Sequence, residues 1–210
     1  MDVLQATGAK CYQNDIPTGF MSAIYSAGAV AWDIETSGLD WKTGRIGTCQ
    51  LYIPGDSAAL VIMNDEVPSN LCVLLADPGV KKIFHHAMFD LRFMSHNWKV
   101  QPQNIACTKI AAKLLNPHNN DENSLKPLLK RYLGTVIDKT QQTSDWFSPR
   151  LSEAQIAYAI TDVYYLPRLL LALEGQLSQL DLLELANMCF AHIPAQVHLD
   201  LLGYTDIYSY

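Results

Sequence analysis

Apolar and polar positions along this 210-residue chain change period once, and the change separates strands from helices. The run AVAWDIET, residues 29–36, has the alternation of a strand and ends in two acids at i and i+2 before a Ser37-Gly38 turn. Residues 46–53 and 58–63 read as two more strands, joined through Pro54-Gly55-Asp56. Three strands with short links predict an antiparallel meander. A short helix over 20–27 precedes them, stopped by Gly28, a residue suited to a left-handed cap.

After the meander the spacing becomes helical. Residues 67–75 form a helix candidate ended by Pro78-Gly79, and 81–85 a short strand. Ala87, Leu91, Met94 and Trp98 recur at i, i+4, i+7 and i+11, which predicts a helix over 87–98 opening directly after that strand. A last short strand at 104–107 leads into helices over 109–115, 124–133 (ended by Gly134), 152–177 and 182–192. Ser152, with Glu153 beside it, caps the long helix, and Pro167 is expected to kink or break it. Residues 116–122 and 140–150 read as loops. The expected fold is α/β: a mixed sheet of the three-strand meander plus one or two further strands, helices on both faces, in a single domain over 1–210.

Composition narrows the class. A hydrophobic content of 49% supports a real core, and a net charge of −6 argues against a protein that coats nucleic acid by bulk positive charge. It leaves open one that grips a few phosphates through metal ions. Five scattered cysteines, an odd number with no C-x-x-C pair, point to reduced thiols in a cytoplasmic protein. The N-terminus lacks the apolar core of a signal peptide, and no run reads as the roughly 18 apolar residues of a membrane span.

Three acidic features stand out. Asp33 and Glu35 share one face of their strand. Paired carboxylates repel, so they are either a strand end reaching solvent or ligands of a divalent cation. Asp90 lies in the first turn of an otherwise apolar helix, where either charge–dipole stabilisation or metal binding accounts for it. Tyr158 and Asp162, at i and i+4, reach one point on their helix face. Together, four carboxylates and a tyrosine make a coherent site for two divalent ions, Mg²⁺ or Mn²⁺ by oxygen preference, of the kind that stabilises both oxygens of an in-line displacement at phosphorus.

The order of these motifs resembles the 3′-5′ exonuclease family named for its Asp-Glu-Asp-Asp residues, in the branch whose third motif is Tyr-x-x-x-Asp. Asp33-Ile34-Glu35 matches the first motif, His86 with Asp90 the second, and Tyr158 with Asp162 the third. LSEAQIAYAITDVYYLPRL and DIETSGLD, with the later Gln50-Leu51, resemble ribonuclease D, in its short bacterial form without helical RNA-binding domains. The likeness covers about 29–170, with a helical tail over 178–210. It implies a ribonuclease H-like sheet and hydrolysis of RNA from the 3′ end to nucleoside 5′-monophosphates, with single-stranded DNA as the nearest alternative substrate. A non-catalytic nucleic-acid-binding domain is the reading from another class, and the complete acid set argues against it.

The resemblance also implies roles. Asp33, Glu35 and Asp162 would hold one ion, with Asp33 bridging to a second that Asp90 serves through water. Tyr158 would orient the attacking water, and Glu35 could accept a hydrogen bond from the 3′-hydroxyl. Thr36 would contact the terminal nucleotide, Leu39 would wedge beside the last base, and His86 would stand where many relatives have Asn. Lys126, Lys130 and Arg131 offer a basic helix face, with Arg150 and Arg168 as alternatives. Trp41, Trp98 and Trp146 are stacking candidates, each with core or loop packing as its other reading. The oligomeric state is open.

Overall fold

The computed structural model describes residues 3–64, 66–138, 140–148, 150–204, 206, 207 and 209. Short helix α1 (Val3–Thr7) and strand β1 (Lys10–Gln13) lead into α2 (Thr18–Ala27), which Gly28 ends at φ 67°. Strands β2 (Ala29–Thr36), β3 (Ile46–Tyr52) and β4 (Ala58–Ile62) form the expected meander. Then come α3 (Ser69–Ala76), β5 (Lys81–Phe84), α4 (Ala87–Trp98), β6 (Ile105–Cys107) and α5 (Thr108–Leu115). Helices α6 (Leu125–Leu133), α7 (Glu153–Tyr164), α8 (Leu166–Gln179) and α9 (Leu183–Leu202) complete the order.

Among the described residues the sheet has six strands in the order β1-β4-β3-β2-β5-β6. The expectation of one or two strands beyond the meander covers β5 and β6 but misses β1. Its KCYQ sequence is short and mostly exposed, so no alternation betrays it, and parallel pairing with β4 makes it a strand. Strands β2, β5 and β6 run parallel, so their C-terminal ends meet at one edge. Asp33 and Glu35 lie at that end of β2, and the N-termini of α4 and α5 follow β5 and β6 there.

The faces of β2 divide as its alternation requires. Trp32 is buried and stacks on Phe84 at 6.1 Å and near Trp98 of α4 at 6.3 Å. On the opposite face Ala31 pairs in register with Tyr52, whose ring lies 5.0 Å from Tyr164 of α7. Helix α7 therefore packs on the face that carries Asp33 and Glu35.

Two helical boundaries differ from expectation. The predicted break at Pro167 falls at Tyr165, because Pro167 has no N–H to donate to the carbonyl four residues back and is accommodated in the first turn of α8. The last helix extends ten residues beyond 192 and carries Pro194 inside. An internal proline costs roughly 3 kcal/mol. Burial of Ile193 and Val197, and the Arg92–Asp200 ion pair at 2.6 Å tying α9 to α4, offset it. Of the tail expected over 178–210, residues 205, 208 and 210 lie outside the described residues, as does residue 149 of the loop expected over 140–150.

By length and composition Glu153–Gln179 reaches the apolarity of a membrane span, with mean hydropathy 1.3 in an 18-residue window. Here it is two helices with half of that window buried, so much of its apolar surface is spent on the core. All five cysteines are free.

Candidate active site

A cleft of about 460 Å³ opens at the C-terminal ends of β2 and β5, and Asp33, Glu35, Thr36, Leu39, His86, Asp90, Tyr158 and Asp162 all line it. These are the eight residues singled out from the sequence. Three separate segments bring them there: β2 and the turn after it, the β5–α4 junction, and α7.

Asp33, Glu35 and Asp162 place carboxylate oxygens within 4.8 Å of one another. Three such anions at that spacing repel strongly unless a cation joins them, and hard oxygen donors suit a divalent ion of the Mg²⁺ type. The residues present therefore fit a divalent metal. Asp90 stands beside this group rather than within it. It is 2% exposed, and its Oδ1 accepts a hydrogen bond from the backbone N–H of Ile34 at 3.2 Å. Burial, then the nearby charge of Asp33, pushes the Asp90 carboxyl well above the usual carboxylate range.

Local structure explains each placement. His86 ends the β5 connection in the left-handed conformation, φ 72°, and so turns the chain from strand into α4 in one residue. Asp90 follows one turn later. Ser152 caps α7, and Gln155 at the third helical position completes a capping box, accepting from the Ser152 N–H at 2.9 Å. The cap expected at Ser152 forms. The reciprocal partner is Gln155, because only the third helical residue reaches back to the cap. The Gln155 amide also donates to the Asp145 carbonyl at 2.9 Å and the Ser144 hydroxyl at 3.2 Å. One side chain thus starts α7 and pins the preceding loop, whose Gln142, Thr143, Ser144 and Trp146 line the cleft.

Tyr158 lies one turn after Gln155, with its ring 5.9 Å from Trp146. Burial, reinforced by Asp162 and Glu35, pushes its phenol far above the ordinary tyrosine value, so the hydroxyl stays protonated. For His86, partial desolvation first, then the positive charges of Lys109, Lys113 and Arg92, lower the imidazole to about 4. It is neutral at pH 7, and its titration lies well below the range that a free histidine would bring.

Thr36 donates its hydroxyl to the Gly38 carbonyl at 2.7 Å, closing the turn that presents Leu39. Leu39 is 86% exposed. The loop beneath it is held by paired hydrogen bonds between Ser37 and Arg45, at 2.9 and 3.0 Å.

Sequence reasoning gave no role to several residues that the fold brings in. Gln50 lies opposite Asp33 in register, fully buried, and donates to Asp33 Oδ2 at 2.9 Å; Thr48 in turn donates to Gln50 Oε1 at 3.1 Å. A glutamine in an apolar strand two residues from another polar residue was the available signal. His85 lines the cleft with Nδ1 2.9 Å from the Thr108 hydroxyl. Phe89 joins it, its ring stacked 6.3 Å from His86.

The secondary candidates scatter. Trp98 is core, Trp146 is buried in the cleft wall, and Trp41 packs edge-on against His96 at 5.2 Å. Lys126 and Lys130 are exposed on α6, and Arg131 pairs with Glu122 at 3.5 Å.

Residues 9–178 match the family model described as 3′-5′ exonuclease. Ribonuclease D of Haemophilus influenzae is 32% identical over 154 residues, 72% of this chain and 37% of that protein. The chain spans about a third of the length of the curated ribonuclease D relatives it matches. Among solved structures, Brucella melitensis NrnC with bound Mg²⁺ superposes with a TM-score of 0.87 at 34% identity, covering 96% of this chain and 98% of that one. The same protein bound to pGG gives 0.87 at 35% identity over the same shares. The match over most of the chain, joined to a carboxylate cleft at the sheet edge, shows that this chain belongs to the 3′-5′ exonuclease family.

Proposed function

We propose that this chain is a divalent-metal-dependent 3′-5′ exoribonuclease that hydrolyses RNA from its 3′ end and releases nucleoside 5′-monophosphates. The observation that carries the reading is the convergence of Asp33, Glu35 and Asp162 oxygens within 4.8 Å, beside buried Asp90 and Tyr158 in one open cleft. The likeness to ribonuclease D supports RNA as substrate, and pGG, the ligand in the NrnC structure, is the first short substrate to try.

Asp33, Glu35 and Asp162 would hold one ion, with Asp33 shared and Asp90 serving a second, and either Mg²⁺ or Mn²⁺ suits these donors. When bound, two such ions lower the cost of developing negative charge on the entering and departing oxygens. The chain supplies the rest. Gln50 fixes Asp33 through its Oδ2, so that its remaining lone pairs keep one orientation. Tyr158, held protonated, hydrogen-bonds the attacking water and aligns it with the phosphorus. Glu35 receives a hydrogen bond from the terminal 3′-hydroxyl, Thr36 borders that nucleotide, and Leu39 lies against its base. His86, neutral at pH 7, contributes a hydrogen bond at the cleft mouth rather than a charge. We further propose that residues 1–210 act as a single exonuclease domain in the cytoplasm, in keeping with five free thiols.

Incubation of the protein with 5′-labelled RNA and matched single-stranded DNA, in Mg²⁺, Mn²⁺ or EDTA, tests this. A ladder shortening from the 3′ end, strongest on RNA and absent in EDTA and in Asp33→Ala, is expected. Cleavage that persists in EDTA, or in Asp33→Ala, rejects the metal assignment, and preference for DNA rejects the substrate.

A further inference from the structure

One side chain, Thr108, ties the start of α5 to the end of β5. Its hydroxyl lies 2.9 Å from His85 Nδ1 and 3.2 Å from the Phe84 carbonyl oxygen. A hydroxyl has one proton to give, and a carbonyl can only accept. Both contacts are made when Thr108 donates to Phe84 and accepts from His85, which puts the imidazole proton on Nδ1. Thr108 is fully buried, so water cannot replace a lost partner on either side, and the fold enforces this assignment. His85 is half-buried and lines the catalytic cleft. With Nδ1 committed to Thr108, the ring serves a ligand through Nε2, and in the neutral imidazole Nε2 is an acceptor.

An acceptor in this place selects its ligand. Phosphodiester oxygens have no proton to give, so a neutral His85 offers them nothing. The donors on a nucleic-acid backbone are hydroxyls: the terminal 3′-hydroxyl, assigned above to Glu35, and the 2′-hydroxyl of each ribose. The sheet order decides which ribose. Ala31 pairs with Ile83, and Asp33 and His85 each follow two residues later, both lining the cleft. Thr36 and the turn with Leu39 lead from β2 to β3 on one flank of Asp33, while His85 lies on the β5 flank and is held by α5. A terminal nucleotide against Thr36 and Leu39 therefore leaves the sugar of its neighbour nearest His85. Release of a nucleoside 5′-monophosphate breaks the P–O3′ bond of that neighbour, so its 2′-hydroxyl is adjacent to the departing oxygen.

We propose that His85 reads the sugar: its Nε2 accepts a hydrogen bond from the 2′-hydroxyl of the penultimate nucleotide, and Thr108 is the positioning residue that fixes the tautomer able to do so. The proposal rests on the exonuclease reading and gives a physical basis for RNA over DNA, since a deoxyribose leaves Nε2 without this donor. The carboxylates act on the phosphate through the ions and do not tell the two sugars apart.

Short 5′-labelled RNAs that differ in one sugar test it through kcat/KM. The penultimate nucleotide carries a 2′-hydroxyl, a 2′-hydrogen or a 2′-fluorine; the fluorine keeps the electron withdrawal of the hydroxyl and lacks its proton. Wild-type protein should prefer the hydroxyl over the fluorine about tenfold, the worth of one hydrogen bond. His85→Phe should erase that preference, and His85→Gln, which offers an amide oxygen, should restore part of it. Thr108→Val should weaken the preference and Thr108→Ser should keep it. Equal wild-type rates on hydroxyl and fluorine overturn the proposal without any variant having to fold. So does a preference that survives in His85→Phe. A loss of the same size on all three sugars also overturns it, since His85 then serves the phosphate or the ions. The same three sugars at the terminal nucleotide check the placement: a preference there that His85→Phe erases, with none at the penultimate one, overturns the assignment. All of these results leave the exonuclease reading standing. A wild-type protein inert on every RNA overturns that reading and the proposal with it.

Discussion

The Asp90 carboxylate accepts a hydrogen bond from the Ile34 N–H at 3.2 Å, which locks the first turn of α4 onto the strand segment between Asp33 and Glu35. The bond joins positions 56 residues apart and sets a fourth acid beside three others. Without a cation the arrangement is electrostatically costly, and the following expectations draw on that cost and on what supports the cleft.

Metal-free protein should lose stability as pH rises, through Asp90. The folded state holds this proton to a higher pH than the unfolded chain, whose value is near 3.8, so it binds more protons between the two. The contribution is fully present below the unfolded value and is lost as pH rises through the raised one. Thermal melts in EDTA should therefore show Asp90→Asn raising the midpoint more at pH 8 than at pH 5. Added Mn²⁺ should abolish the advantage of the variant. An advantage that is larger at pH 5 contradicts the sign.

Tyr158→Phe should slow RNA cleavage about 10- to 100-fold, the worth of one hydrogen bond to a reacting group. Divalent-ion affinity measured by calorimetry should hold. Because burial keeps the phenol protonated, its loss should leave the shape of the pH–rate profile unchanged. A shifted limb would make Tyr158 a titrating group instead.

Gln50→Leu removes the donor to Asp33 Oδ2 and leaves the buried Thr48 hydroxyl without its acceptor. The ion concentration for half-maximal activity should rise roughly 10- to 100-fold, as for groups that orient metal ligands elsewhere. Activity at saturating ion should largely return. Unchanged ion dependence would show that Asp33 needs no such support.

Leu39→Ala should separate binding from folding. At 86% exposure the side chain adds little to the core, so stability should move by less than about 0.5 kcal/mol. KM for RNA should rise several-fold to about tenfold from lost apolar contact with the terminal base. A fall in melting temperature without a change in KM would place Leu39 in packing.

Gly47→Ala should act through the loop over the cleft. Strand β3 shifts register here against the Glu35/Thr36 step, and a Cβ on Gly47 would lie 2.8 Å from the Trp146 carbonyl and 3.2 Å from the Phe147 ring. The loop must move or the strand must give, at a cost of about 1–3 kcal/mol. Urea midpoints and the fluorescence of Trp146 report it, and kcat/KM should fall with them.

Much of this molecule was legible from the chain alone. The alternation in AVAWDIET, the helical spacing of Ala87, Leu91, Met94 and Trp98, and the Gly28 and Gly134 stops depend on local geometry, and the elements formed within one or two residues of expectation. The acids could be named because their chemistry is intrinsic to their side chains and spacings. Other features were not legible because they depend on partners far away in sequence. Strand β1 exists by pairing with β4, and α9 runs through Pro194 by packing on the core and through Arg92 on Asp200. Gln50 reaches Asp33 only across the β2–β3 register, and Asp90 reaches the Ile34 N–H only because β5, which leads into α4, lies beside β2. The sequence by itself determined which groups carry charge and which segments of strong local periodicity are helix or strand, since both follow from covalent structure and nearest neighbours. Tertiary structure alone decided which charges face one another, because that distance depends on strand order and register, which no local pattern encodes.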